Sequence, residues 1–332
     1  MTRALVSGAH GFVGSHLARA LLERGEEVRV LDRPAPRLAD VGGERRSGLD
    51  LLGIRAEVEL VEADLRDAEA VAAAVEGSGS VFHLAAQTIV GVARDSPLET
   101  LEVNVQGAWN VFEACRAHAV EGIVFASSDK AYGSSPELPY REDFPLRAVY
   151  PYDASKAAAD TIARSYATAY GLPLAVTRFA NVYGGGDLNF SRLIPETAIA
   201  LLDGRAPVIR SDGSPERDFL HVDDAVSAYL AIAGALDDGA AGEAFNAGGE
   251  RPRSVREVVE LIAGAAGTGI EPDFRGQGNP DGEIDCQYVD STKLRELTGW
   301  RSRVALEDGL RRTLEWYREH PEARPATAPA KV

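Results

Sequence analysis

The chain has 332 residues, 45% of them hydrophobic and 26% charged, enough for a large α/β unit or two domains with their own cores. Thirty-five basic against fifty-one acidic residues leave a net charge of −16, which repels a phosphate backbone, sets nucleic acid aside as a partner, and obliges any anionic ligand to find a locally positive pocket. No apolar run is long enough for a membrane span or a signal peptide, and Cys115 and Cys286 lack metal or redox spacing, so the expectation is a cytoplasmic protein with no membrane partner and no metal.

In chain order, Ala4–Ser7, Val28–Leu31, Val58–Glu62, Ser80–Leu84, Ile123–Ser127 and Leu174–Arg178 are predicted strands, each a short and nearly continuous apolar run. Amphipathic runs separate them: Leu17, Ala18, Leu21 and Leu22 share one helical face, and Leu101, Val105, Ala108, Val111 and Phe112 share another. Strands of this kind alternating with helices predict an α/β fold, a doubly wound parallel sheet of the Rossmann type. After Arg178 the rhythm breaks into loops rich in Gly, Pro and Asp, with helices near Leu193–Leu202, Val255–Ala266 and Leu306–Tyr317, which reads as a smaller C-terminal α/β lid. The run "RDFLHVDDAVSAYLAI" at 217–232 restores a strand-then-helix pattern. The expected division is therefore 1–178 plus about 217–243 for the sheet domain and about 179–216 with 244–320 for the lid. The Ala- and Pro-rich stretch 321–332 reads as a flexible tail.

The first strand runs into "SGAHGFVGSHL", with Gly8, Gly11 and Gly14 spaced G-x-x-G-x-x-G. Gly8 permits a tight turn, Gly11 lets a pyrophosphate approach the backbone, and Gly14 lets helix and strand pack closely, while the helix N-terminus attracts phosphate. Asp32 ends the second strand eighteen residues after Gly14. A carboxylate there accepts hydrogen bonds from the adenosine ribose and repels a 2′-phosphate, which favours NAD; the neighbouring Arg33 is the feature that would suit NADP. Asp64 follows the third strand, where it faces either solvent or the adenine. The small residues of "HLAA" at 83–86 either let the cofactor lie flat or serve plain packing.

Tyr152 and Lys156 lie four apart in "YPYDASKAAAD", on one face of a predicted helix. A lysine beside a phenol stabilises the phenolate, giving a general base that takes a hydroxyl proton as hydride leaves the same carbon. Ser127 and Ser128 stand at a strand end twenty-four residues upstream of Tyr152.

With these residues in place the chain resembles the extended short-chain dehydrogenases/reductases of the nucleotide-sugar epimerase/dehydratase group. The motifs that carry the resemblance are "GAHGFVGSHL", "DL" at 64–65, "HLAA", "NVQGAWNVFEAC", "SSDKAYG", "YDASK", "TRFANVYGGG", "RDFLHVDD", "FNAGG" and "LTGW", in order over nearly the whole chain. The resemblance implies a catalytic triad of Ser128, Tyr152 and Lys156, with Ser128 on the sugar 4-hydroxyl and Lys156 also holding the nicotinamide ribose. It adds Phe12, Val13, Arg33, Leu65, Leu84, Ala85 and Ala86 to the NAD-lining set and matches Asn104 to an asparagine that supports the active site. Gln87, Asn181 and Arg217 match positions facing the nucleotide-diphosphate sugar, and Arg192 joins them on charge and location. A homodimer through helices around 97–118 and 152–170 is a further implication.

"SSDKAYG" places Asp129 and Lys130 directly after Ser128. In the resembling 4-epimerases these two positions are usually small or neutral, because oxidising C4, turning the ketone and reducing it needs no further acid or base. A 4,6-dehydratase must also remove the C5 proton and expel the 6-hydroxyl. Asp-Lys resembles the CDP-glucose 4,6-dehydratase branch, whereas "RDFLHVDD" resembles the UDP- and dTDP-sugar branches, which leaves the base open. Lys130 as base and Asp129 as acid each need a shifted pKa, carboxyl up and amine down, in the direction burial pushes them. The rival assignments are a 4-epimerase with the same triad and a non-catalytic NAD-sensing protein; a solvated surface pair is the bland reading of Asp129 and Lys130.

Overall fold

The computed structural model describes residues 3–34, 47–249, 251–277 and 284–325. In chain order the strands are β1 Arg3–Ser7, β2 Glu27–Asp32, β3 Glu59–Glu62, β4 Ser80–His83, β5 Gly122–Ala126, β6 Leu174–Phe179, β7 Asn181–Tyr183, β8 Val208–Ile209, β9 Glu216–Arg217, β10 Phe219–His221, β11 Ala244–Ala247, β12 Arg253–Ser254, β13 Asp273–Phe274 and β14 Cys286–Gln287. Seven of them form one sheet in the order β11-β6-β5-β4-β1-β2-β3, and every pairing in it is parallel.

Both faces of this sheet are buried except at its edge strand β3, which has no buried residue, and this is why most of its strands read as apolar runs rather than alternating ones. Ala4, Val6, Val28, Val30, Phe82 and Val124 pack into one core, and Leu5, Leu31, Val81, Ile123, Phe125 and Val176 into the other. A third core under the smaller layer joins Tyr183, Phe190, Ile199, Val258 and Leu314. Helix ends follow local chemistry: Pro151 opens the helix Pro151–Tyr170 and Gly171 closes it at φ +65°, while Ser254 and Glu257 make a capping box on Val255–Ala266.

The expected division is corrected in three places. β11 is the edge strand of the main sheet, hydrogen-bonded to β6, so the chain's return to that layer runs through Ala247 and not to 243. Arg217 lies in β9, which pairs with β12 and β14 in a separate three-stranded sheet, so the return begins with the helix Val222–Gly234. Within the supposed tail, Pro321–Ala323 form a 3-10 turn that buries Ala323; residues 326–332 lie outside the described residues.

The chain passes from β1 outward to β2 and β3, then crosses to β4 on the other side of β1. A doubly wound sheet opens a crevice at such a switch, beyond the carboxyl ends of the strands. Ser7, Asp32, His83 and Ala126 end four of these strands.

Candidate active site

Gly8 turns at φ +82°, and a Cβ there would meet the Ala85 backbone at 2.7 Å, so the first turn lies directly against the "HLAA" segment. A Cβ on Gly14 would run into the Gly8 carbonyl, which fits the close packing of helix on turn. Gly11 precedes the helix Phe12–Glu23 with no side-chain cap, leaving the first-turn amides to an outside acceptor. Phe12 and Val13 begin that helix, half-buried. This turn, its uncapped helix and Asp32 fit a dinucleotide.

Asp32 accepts the His10 amide at Oδ2 and the Arg33 amide at Oδ1, both at 2.9 Å. Burial raises its pKa, and these bonds oppose the rise. Arg33 is exposed, and its carbonyl is bonded to the His10 ring. Asp64 is half-buried, and Arg66 takes both its oxygens and holds its carboxyl below the ordinary range. Leu65 is buried, and its carbonyl accepts from Asn110.

The floor of the crevice is built by two residues that motif reading missed. The Ser7 hydroxyl lies 2.7 Å from His83 Nδ1 and receives the amides of Leu84 and Ala85. Burial holds His83 down at about 3, so its ring is neutral and Nδ1 accepts from Ser7. Ala86 follows, half-buried. Gln87 spends its side chain on Ile89 of its own loop and on Thr100 of the helix Pro97–Leu101. Its main chain is held by Asn104, which accepts the Gln87 amide at 2.7 Å and donates to the Gln87 carbonyl and to Ser155. Asn104 sits in a π turn, Glu102–Gln106, a form common at functional sites. It thus links the crevice floor to the helix that carries Tyr152 and Lys156.

Ser128, Asp129, Lys130, Tyr152 and Lys156 come together at the end of β5. Lys156 donates to the Ala126 carbonyl at 2.9 Å, and burial brings its pKa down to about 8. Tyr152 is buried and pushed up to about 12, chiefly by that burial; Arg192 and a hydrogen bond with Ser128 oppose the shift. Lys156 is turned to the strand carbonyl, and it is burial that dominates the Tyr152 phenol in this arrangement.

Asp129 opens a 3-10 turn, Asp129–Tyr132. Its Oδ1 accepts from Ser128 at 3.1 Å, and its Oδ2 is buried with no hydrogen-bond partner. Burial pushes this carboxyl up to about 6, against the opposing charges of Lys130 and Arg217. Among the described residues Asp129 and Lys130 form no ion pair with each other, and Lys130 is half-buried. From the smaller layer, Arg192 bonds Asp187 at 3.0 Å and lies close enough to Tyr152 to act on its charge. Arg217 is buried beside Asp129, donating to the carbonyls of Glu216 and Asp285. Asn181 donates its side-chain amide to the Asp218 carbonyl. Two guanidinium groups thus face the turn and helix, the positive pocket an acidic chain needs for an anion.

A family model described as the NAD dependent epimerase/dehydratase family matches residues 4–248. The UDP-glucose 4-epimerase of Mycolicibacterium smegmatis is 36% identical over 323 residues, covering 95% of this chain and 98% of that one. The dTDP-glucose 4,6-dehydratase of Streptomyces griseus is 33% identical over 325 residues, covering 96% and 95%. Among solved structures, the dTDP-glucose 4,6-dehydratase of Streptomyces venezuelae with NAD bound superposes with a TM-score of 0.84 at 31% identity, covering 96% of this chain and 98% of that one.

Proposed function

The chain belongs to the NAD-dependent epimerase/dehydratase family, and from that premise we propose that it is a nucleotide-sugar 4,6-dehydratase, yielding a 4-keto-6-deoxy sugar nucleotide. The observation that carries this reading is Asp129: a buried carboxyl raised to about 6, with one oxygen unpartnered and no ion pair to its neighbour Lys130. A site that only oxidises and re-reduces C4 has no use for such an acid.

When bound, NAD supplies a hydride acceptor beside Tyr152 and Lys156 that gives the same hydride back, so the net change is loss of one water. Ser128 holds the 4-hydroxyl, and Tyr152 takes its proton as C4 becomes a ketone. The ketone acidifies the C5 hydrogen, and the amine of Lys130 takes that proton. Asp129 gives its own proton to the 6-hydroxyl, which leaves as water, and the proton on Lys130 returns to C5 as C6 is reduced. Arg192 and Arg217 hold the diphosphate, and Asn181 stands with them at the start of β7.

Supplying purified protein with each nucleoside-diphosphate glucose and following product mass tests the reading. Loss of one water without net NADH supports it; interconversion of gluco and galacto forms alone sinks it. The second reading, a 4-epimerase, is favoured by the 36% identity to the mycobacterial epimerase and uses the same Ser128, Tyr152 and Lys156.

Homodimerisation is part of the proposal. Leu98, Leu101 and Trp109 lie exposed between Pro97 and Ala117, Val149 just precedes the helix Pro151–Tyr170, and Tyr170 ends it; Leu98 is 69% exposed and Val149 79%. Apolar area of this kind is better covered by a second copy than left in water. The free thiols of Cys115 and Cys286 support a cytoplasmic setting, and among the described residues no helix is long and apolar enough to cross a membrane.

A further inference from the structure

The proposed reaction acts on adjacent carbons of one sugar from two separate elements. Tyr152 and Lys156 ride on the helix Pro151–Tyr170, while Asp129 and Lys130 sit in the 3-10 turn after β5. Lys156 ties the near end of the turn to the helix through Ala126. The far end of the turn is Tyr132, and it is held by a buried polar cluster that the chemistry above does not use.

Arg178, on β6 and 1% exposed, grips Asp160 of the catalytic helix with Nε and Nη2 at 2.8 and 2.9 Å. Its Nη1 donates to the Tyr132 hydroxyl at 3.0 Å and to the Glu142 carbonyl at 3.2 Å. The Tyr132 hydroxyl in turn donates to Asn246 Oδ1 at 2.8 Å, and the Asn246 amide group donates to the Tyr140 carbonyl. The Tyr140 ring stacks on Tyr132 at 4.8 Å, and its hydroxyl donates to the Gly133 carbonyl, the residue after the turn. Asp160 stands one helical turn beyond Lys156 and two beyond Tyr152.

A buried Arg–Asp pair contributes little net stability over apolar residues of the same volume, so stability alone is a weak reason to bury this cluster. Its connectivity supplies a better one: one guanidinium spans the helix of the first half-site and the turn of the second. We propose that Arg178 is a positioning residue that, by gripping Asp160 and Tyr132 together, keeps the Asp129–Lys130 turn in register with Tyr152 and Lys156, and so couples C4 oxidation to the elimination of water. This rests on the dehydratase reading above.

Tyr132→Phe tests it, because the stacked ring and the Arg178–Asp160 pair remain while the joining hydroxyl is lost; Tyr140→Phe frees the same turn from its other side. Each variant is measured for melting temperature and NAD affinity. In single turnovers with the nucleoside-diphosphate hexose that the parent dehydrates, reduced-nicotinamide absorbance and release of dehydrated product are then followed together. Oxidation at C4 should stay within about twofold of the parent while water loss slows about tenfold, so that reduced nicotinamide accumulates in both variants. Equal slowing of the two steps, or slowing of neither, overturns the proposal, whatever the change in melting temperature. A parent that releases no water from any nucleoside-diphosphate hexose overturns the dehydratase reading first, and this inference with it.

Discussion

The Lys156 ammonium donates to the Ala126 carbonyl at 2.9 Å and so fastens the helix Pro151–Tyr170 to the end of β5. Burial there costs the charged form, and its folded-state value of about 8 lies below the ordinary 10.5. Between the two, the unfolded chain holds the proton and the folded one does not, so stability rises with pH through that window. Below pH 8 both states are charged and the folded one bears the whole cost. Lys156→Met should therefore be more stable than the parent at pH 7, by about 1–3 kcal/mol, lose that advantage above pH 10.5, and be inactive. Calorimetry at the two pH values checks this; a variant less stable at pH 7 contradicts it.

Asp129 carries the opposite sign. Its folded-state value of about 6 exceeds the ordinary 3.8, so the folded chain keeps a proton the unfolded one has lost, and stability falls as pH rises from 3.8 to 6. Asp129→Asn should be more stable than the parent above pH 6 and equal to it below 3.8. Water loss in the parent should decline as pH rises past about 6, as the donor ionises. The variant should retain NAD binding with dehydration reduced about 10²–10⁴-fold and that pH limb gone.

Lys130→Met should abolish uptake of solvent deuterium at C5 while leaving oxidation at C4 measurable. Reduced-nicotinamide absorbance reports the oxidation, and mass spectrometry of the sugar nucleotide recovered from D₂O reports the exchange. Continued exchange at C5 in this variant assigns the base elsewhere.

Asp32→Ala removes the carboxylate that repels a 2′-phosphate and leaves Arg33 in place beside it. Titration of both cofactors should show NAD affinity falling and the NAD-to-NADP preference shrinking by about tenfold or more. An unchanged preference would mean that Asp32, held by the His10 and Arg33 amides, does not face the ribose.

Trp109→Glu places a charge amid the exposed apolar side chains of the helices at 97–117 and 151–170. Light scattering on the parent should give twice the chain mass, and on the variant the mass of one chain. A monomeric parent removes the dimer.

Much of the fold was legible because a doubly wound sheet buries both faces of its inner strands, so the first six strands other than β3, an edge strand with no buried residue, announce themselves as apolar runs between amphipathic helices. β11 was not, since "AFNA" has a polar residue at its centre and is separated from the helix Val222–Gly234 by a π turn, Leu236–Ala240. The two-residue strands β8, β9, β12, β13 and β14 have no periodicity to read. In the site, Gly8, Gly14, Tyr152 and Lys156 follow from spacing, because backbone geometry fixes where glycines and helical neighbours stand. What Lys156 bonds does not follow from spacing, since Ala126 is thirty residues away. Ser7, His83, Arg178 and Asn246 were passed over for the same reason: each acts on partners brought near only by strand order.

The Ser7 hydroxyl has one proton and two lone pairs, and all three are assigned: the proton to His83 and the lone pairs to the amides of Leu84 and Ala85. His83 can gain a second proton only by turning Ser7 away from it, and burial sets that event near pH 3. The Ser7–His83 pair on the crevice floor thus keeps one protonation state across the range in which Asp129 titrates. Changes in activity around neutral pH then come from groups other than His83, with Asp129 and Lys156 among them.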